Sequence, residues 1–536
     1  MNSKSSAVWF SLLFLVGTAI LVQAGEGDPA ALSSPTEMSA RIDELLNQKW
    51  HADKITPAPV ATDAEFFRRI HLDLTGGLPG VSDVRAFLKN TDPNRRAKVI
   101  DSLLGTEDPT DGFAGKADHW THLANTWRQF LLPDDTDLRR YGGGRQFENW
   151  LREQFRLNKP YDELVSELIL AQGSINQSGP TLFYAVLQSK PEDVAAATSR
   201  SFLGVQIQCA QCHDHPFDHW TQKDFWGYAA FFARLNRQQG ARGMIQETDV
   251  GEVVLPGTSD VVEPRYLKGD PAPDRDANGV TRRELLADWL VSRDNRYFSR
   301  ATVNRVWALL FGRGIVDPVD DLGQHNPPSH PELLAELSDH FISTGFDLRE
   351  LIRTIANSQA YQLSSSSDAA DQFSPDSFAR MALKSMTAEQ LYDSLSDATV
   401  RKSNRGTPTR NIAVDRVFDA SRYAFLSKFR APASSVVDYQ SGIPQALTLM
   451  NGSIVRDATG LESSDILGAI FTASFLSDEQ RVEILFLATL SRNPNDAERE
   501  KFVQYITSKA STDEKRKAMS DVLWALLNSA EFTLNH

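Results

Sequence analysis

Helix-opening signatures recur along this chain from end to end, while the alternation that marks a half-buried strand is scarce. Ser34-Pro35-Thr36-Glu37 combines an N-cap residue, a proline in the first turn and a returning glutamate. Met38, Ile42, Leu45, Leu46 and Trp50 then follow at helical spacing. Similar boxes stand at Thr62/Glu65, Thr281/Glu284, Ser329/Glu332, Thr387/Gln390 and Ser477/Gln480. Each offers a side-chain acceptor to a backbone N–H that the first helical turn leaves unpaired. The chain is therefore expected to be mainly α. Its one stretch of β character is 244–264, where Val250, Val253, Val254 and Leu255 sit among glycine and proline.

A length of 536 residues exceeds what one hydrophobic core normally serves. The segment 240–278, rich in Gly, Pro and Asp, divides it. The expectation is two helical domains, at 37–239 and 279–536, joined by a Gly/Pro-rich segment carrying a small β-hairpin. Residues 364–377 and 404–409 read as surface loops.

The N-terminus reads as an export signal. Lys4 precedes an apolar run over 7–22, and Val22-Gln23-Ala24 supplies the small residues of a cleavage site. The signal is assigned to 1–24 and a linker to 25–36. No later run is long and apolar enough to span a bilayer, so the mature chain is expected to be soluble and periplasmic or extracellular. A net charge of −14 argues against nucleic acid or anionic lipid as partners.

Both cysteines of the chain lie in one pentapeptide, Cys209-Ala210-Gln211-Cys212-His213. With no other thiol, the exported fold cannot rest on a disulfide framework. Three readings of this run stay open. C-x-x-C-H is the attachment signature of c-type haem, with Cys209 and Cys212 in thioether bonds and His213 on the iron. Phe202, Phe217, Trp220, Phe225 and Trp226 would then be candidate apolar walls. The second reading is zinc on Cys209, Cys212, His215 and His219, with spacing C-x2-C-x2-H-x3-H. The third is a disulfide or a pair of free thiols. The local pattern places the motif in a loop, between a helix that begins near Pro191 and stops at Gly204 and a helix capped by Thr221.

A sixth haem ligand is not fixed by spacing. His119 and His122 share one helical face, and Met244, Met386, His325, His330 and His340 are further candidates. The Gly/Asp-dense loop 312–323 lacks the order of a calcium loop, and a turn explains it. Pro327 to Pro331 would hold His330 at a helix entry. Gly142-Gly143-Gly144 precedes no phosphate-loop lysine, and hydrolase and kinase motifs are absent. No catalytic residue is assigned.

Two longer patterns carry a family resemblance. Residues 61–69 with Leu72-Asp73-Leu74-Thr75-Gly76-Gly77-Leu78-Pro79, residues 209–218 and residues 224–232 resemble a secreted planctomycete-type cytochrome-like domain of unknown function. Asn304-Arg305-Val306-Trp307, residues 311–316, Asp320-Asp321, residues 326–334, Pro444-Gln445-Ala446-Leu447 and residues 526–532 resemble its usual C-terminal partner domain, also of unknown function. The resemblance implies a c-type cytochrome role for Cys209, Cys212 and His213 and brings no established reaction with it. With no second C-x-x-C-H, one haem is expected. The function read from the sequence is electron transfer or haem-dependent redox chemistry at the cell envelope, with a redox partner protein. The alternative is a non-redox binding or scaffold protein.

Overall fold

The computed structural model describes residues 37–105, 119–133, 136–138, 141, 144–238, 244–267, 269, 271–273, 279–366, 374–399, 420–429, 450 and 452–536. The export signal, the 25–36 linker, Gly142-Gly143, the 404–409 loop and the Pro444 to Leu447 run lie outside these residues. The described chain is mainly helical with small sheets, as its capping boxes require.

Thr62 accepts from the Glu65 N–H at the head of Asp63–Thr75, and reciprocal boxes open Arg282–Leu290 at Thr281/Glu284 and Asp478–Leu490 at Ser477/Gln480. Thr387 and Gln390 exchange the same two bonds ahead of Ala388–Thr399. Ser329 is the exception. The helix Pro331–Ser343 has His330 at its N-cap, while the Ser329 hydroxyl donates to the Ile315 carbonyl. Proline in the first turn already sets the helical φ, which leaves Ser329 free to fasten the preceding loop.

The β content is smaller and differently paired than expected. Val253–Val254 and Val261–Val262 form the hairpin within 240–278. Met244–Glu247 instead pairs antiparallel with Leu235–Gln238 and with Gly173–Ser174, building a three-stranded sheet with strands of the first half.

Apolar packing crosses the 240–278 segment, so the two helical halves share their cores. One apolar cluster runs from Ile42 through Phe67, Leu168, Phe232 and Trp307 to Met381. A second gathers Met386, Leu391, Phe486, Leu523 and Phe532 around Leu72 and Leu78 of the first half. Fully buried aliphatic and aromatic side chains each contribute about 1.5–3 kcal/mol, so the shared cluster binds the halves together. Buried polar bonds cross the same boundary. Ser39 Oγ donates to the Thr354 carbonyl at 2.7 Å, and Trp50 Nε1 to Ser377 at 2.7 Å. Arg69 reaches the Tyr361 carbonyl, and Arg283 those of Ile169 and Ala171.

The buried helix Arg296–Phe311 relates the two ends of this interface. Near its start Tyr297 contacts Trp220, with ring centroids 6.5 Å apart. At its end the Leu309 and Leu310 carbonyls accept from Lys384 Nζ, which also pairs with Asp73 at 2.6 Å. Asn304, midway along, donates to the carbonyls of Val316 and Val319 and accepts from the Val316 N–H. It thereby folds the loop after Gly312 back along the helix toward Gly204.

Candidate functional site

The chain enters the cysteine run from the helix Pro191–Thr198 through one π-turn, Ser199–Leu203, and stops at Gly204 with φ +66°. A side chain at Gly204 would collide with Leu322, whose N–H donates to the Gly204 carbonyl at 2.7 Å. Glycine is needed there for both conformation and space. Val205, Ile207 and Ala210 then anchor the backbone in the core. Residues Gln208–Gln211 form a 3-10 turn, and Cys209 and Cys212 stand out of it as exposed free thiols.

The turn is braced from behind. Gln222 Nε2 donates to the carbonyls of Gln211 and Cys212 at 3.2 and 3.0 Å, and Trp226 Nε1 to Gln211 at 3.0 Å. Both belong to the helix Gln222–Ala229, opened by the Thr221/Asp224 capping box. Its Gln222 N–H also donates to Asp214 Oδ1 at 2.8 Å. Carbonyls that a short 3-10 turn leaves open are thus satisfied by side chains.

The three histidines that follow are held in different states. His213 Nδ1 lies 2.8 Å from the Asp214 carbonyl. A carbonyl only accepts, so Nδ1 carries the proton, and Nε2 of this exposed ring presents a lone pair. His215 is reversed. Its Nδ1 accepts from the N–H of Asp218 at 2.9 Å and of Phe217 at 3.3 Å, placing the neutral ring's proton on Nε2. His219 Nδ1 donates to Asp218 Oδ1 at 2.6 Å, the carboxylate–histidine pairing that orients metal-binding imidazoles.

The proposed zinc set is not brought together. Among the described residues no three His, Cys, Asp or Glu side chains are arranged to hold a metal ion. In addition, the His215 lone pair is already engaged by two backbone donors. The aromatic wall is also redistributed. Phe202, Trp220 and Phe225 are core residues, Trp226 is half-buried, and Phe217 stands 78 % exposed in the loop after the cysteines.

Of the remaining ligand candidates, only His325 lies against this loop. Its Nδ1 is 3.8 Å from Asp218 Oδ2 and its Nε2 is 3.1 Å from Asp321 Oδ2. His122 instead packs on Gly76, where a Cβ would lie 2.5 Å from its Nδ1, and His119 lies beside Gly105. Burial holds the His122 ring below its ordinary pKa; burial, and then the Arg349 charge, push His119 down to about 3. Asp73, next to His122, sits at the Leu310 end of the helix Arg296–Phe311, whereas the cysteine loop is at the Tyr297 end. Thirteen residues of rise separate the two by roughly 20 Å. Met244 is half-buried in its strand, Met386 is buried in the second core, His330 is buried against Phe378, and His340 Nε2 faces Thr354.

Asp218 and Gln222 were not assigned a role by the sequence reading, and His325 was named only as one of several possible sixth haem ligands. The Asp-His-Pro-Phe-Asp-His run hinted at Asp218, whereas no local pattern tied His325 to cysteines more than a hundred residues earlier.

Comparison with known families matches this division of the chain. Residues 41–237 match PSCyt2, a protein of unknown function (DUF1549), and residues 282–506 match PSD1, a protein of unknown function (DUF1553). The chain carries a PSCyt2 domain followed by a PSD1 domain. The cysteine loop closes the PSCyt2 region, and His325 belongs to PSD1. No curated protein and no solved structure matches the chain. No helix among the described residues is long and apolar enough to cross a membrane.

Proposed function

We propose that the PSCyt2–PSD1 chain is an exported c-type cytochrome-like protein. Cys209 and Cys212 hold one haem covalently, and His213 ligates its iron. The observation that carries the reading is the state of the pentapeptide. Two free, exposed thiols stand beside an imidazole whose Nδ1–H is tied to a backbone carbonyl, which leaves Nε2 available. Thioether formation needs thiols that can reach a porphyrin edge, and iron needs the unprotonated ring nitrogen. The donor chemistry fits both requirements.

A bound haem supplies one-electron exchange at an iron centre. The chain's own part is to fix the donors: Gln222 and Trp226 hold the turn, and Asp214 fixes the His213 tautomer. The exposed Phe217 gives the loop an apolar rim. The setting is the cell envelope, and the net charge of −14 suits a redox partner with a basic surface.

A pyridine haemochrome spectrum of protein purified from its native envelope tests the reading. A c-type band that survives acid–acetone extraction is expected, and it should vanish in Cys209→Ser/Cys212→Ser protein. Colourless native protein, with zinc by elemental analysis or a Cys209–Cys212 disulfide, would instead establish a non-redox scaffold.

A further inference from the structure

The loop that follows the helix Arg296–Phe311 lies along the cysteine run at three successive points. Gln206 Nε2 donates to Asp320 Oδ1 at 3.0 Å. The Leu322 N–H donates to the Gly204 carbonyl at 2.7 Å. His325 faces Asp218, whose carboxylate, though 4 % exposed, belongs to an otherwise exposed loop. Asp218 in turn holds the His219 ring and backbone N–H and donates its own N–H to His215. Gly323 sits at the junction. A Cβ there would lie 2.5 Å from His325 Cε1 and 2.6 Å from Asp218 Oδ2.

We propose that the cysteine site is composite: the PSD1 loop 320–325 is its second wall, and His325 is a positioning residue that sets the 213–219 turn through Asp218. The segment 213–219 has no regular secondary structure to fix its backbone. Its order rests on the His215 N–H donating to the Trp220 carbonyl at 2.8 Å, on the Asp214–Gln222 bond and on Asp218, and a buried carboxylate needs polar partners to stay buried. His219 supplies two hydrogen bonds from within the turn; His325, held by Asp321 through Nε2–H, seats its ring 3.8 Å from the second carboxylate oxygen and closes that side from the other half. Gly323 lets the two side chains approach. The arrangement gives the downstream domain a task at the site itself, in place of a separate docking role.

The inference rests on the proposed cofactor site for its meaning, but its test does not require the cofactor. In full-length protein made without haem-attachment machinery, backbone amide exchange over 213–219 reads the turn directly, whereas the two thiols already face solvent. His325→Ala and Gly323→Ala should each raise the amide-exchange rate over 213–219 about fivefold, the factor expected from losing one partly exposed polar contact. His325→Asn, which keeps a polar side chain in the same seat between Asp218 and Asp321, should restore most of the original rate. Asp513→Asn, on the distant helix Thr512–Leu527, should leave it unchanged. In haem-loaded protein the same two variants should shift the reduction potential and the visible spectrum while keeping the haem covalently attached. Wild-type rates in both variants, with unchanged circular dichroism, would overturn the composite site. If Gly323→Ala fails to fold, His325→Ala alone decides. Faster exchange in variants of a protein that proves colourless in its native envelope would sink the haem reading and leave the composite site standing.

Discussion

Asp73 and Asp218 both bridge the two halves of the molecule, and each side chain is 4 % exposed. Their surroundings differ in one telling way. The Asp73 carboxylate accepts from Lys384 at 2.6 Å, Asn535 at 2.6 Å and Tyr361 at 2.7 Å. Lys384 also donates to two backbone carbonyls. That node is closed, with its charge matched and water shut out. Around Asp218 the polar atoms are arranged but not saturated. His213 presents an unused Nε2, two thiols face solvent, and Phe217 is exposed. The Asp73 node uses its donors and acceptors on the fold, whereas the cysteine loop keeps some in reserve, as the proposed haem attachment requires.

Removing a partner at each node tests that contrast most severely. Asp73→Ala leaves the buried Lys384 ammonium uncompensated and should cost about 3–5 kcal/mol of unfolding free energy in urea titration. A loss below about 1 kcal/mol would mean that the node is not closed as described.

Acid should distinguish the two regions next. Burial pushes His330 down to about 4 and, beside Phe67, His71 to about 4 as well. Both rings are neutral in folded and unfolded chains above pH 6.5, so their contribution is complete there. As pH falls toward 4 the unfolded chain binds the proton first, and stability declines by about 3 kcal/mol for each ring. Urea midpoints measured between pH 7 and 4 should show this fall, and His330→Asn should flatten it. An unchanged slope in that variant would remove His330 from the account.

Smaller effects belong to the cysteine loop. Gln222→Ala removes the donor that closes the Gln211 and Cys212 carbonyls and should cost about 1 kcal/mol. Its more diagnostic consequence is faster amide exchange confined to 208–214. Cys209→Ser, Cys212→Ser and His213→Ala should each change the stability of haem-free protein by no more than about 0.5 kcal/mol. A large loss from any of the three would assign the pentapeptide to the fold instead of to chemistry.

Much of the architecture is legible locally. Thr221 with Asp224, and Ser477 with Gln480, satisfy backbone donors within four residues, so sequence alone locates those helix starts. Ser329 misled because His330 and Pro331 offer an equally local helix entry, and only the packed loop decides between them. The cysteine pentapeptide was readable as a candidate site, since its chemistry is contiguous. What surrounds it was not. Neither the folding-back of the Gly312 loop by Asn304 nor the seat of His325 against Asp218 leaves a periodic trace. The shared core was equally hidden, because apolar spacing shows which face of a helix is buried but not against which partner.

The central claim is that Cys209 and Cys212 carry a covalent porphyrin. Mass spectrometry of the proteolytic peptide spanning the two cysteines and His213, taken from protein produced in its natural host, addresses it most directly. The account requires a single peptide in which one haem modifies both cysteines. Recovery of that peptide unmodified, or with its two sulfurs joined to each other, would contradict it.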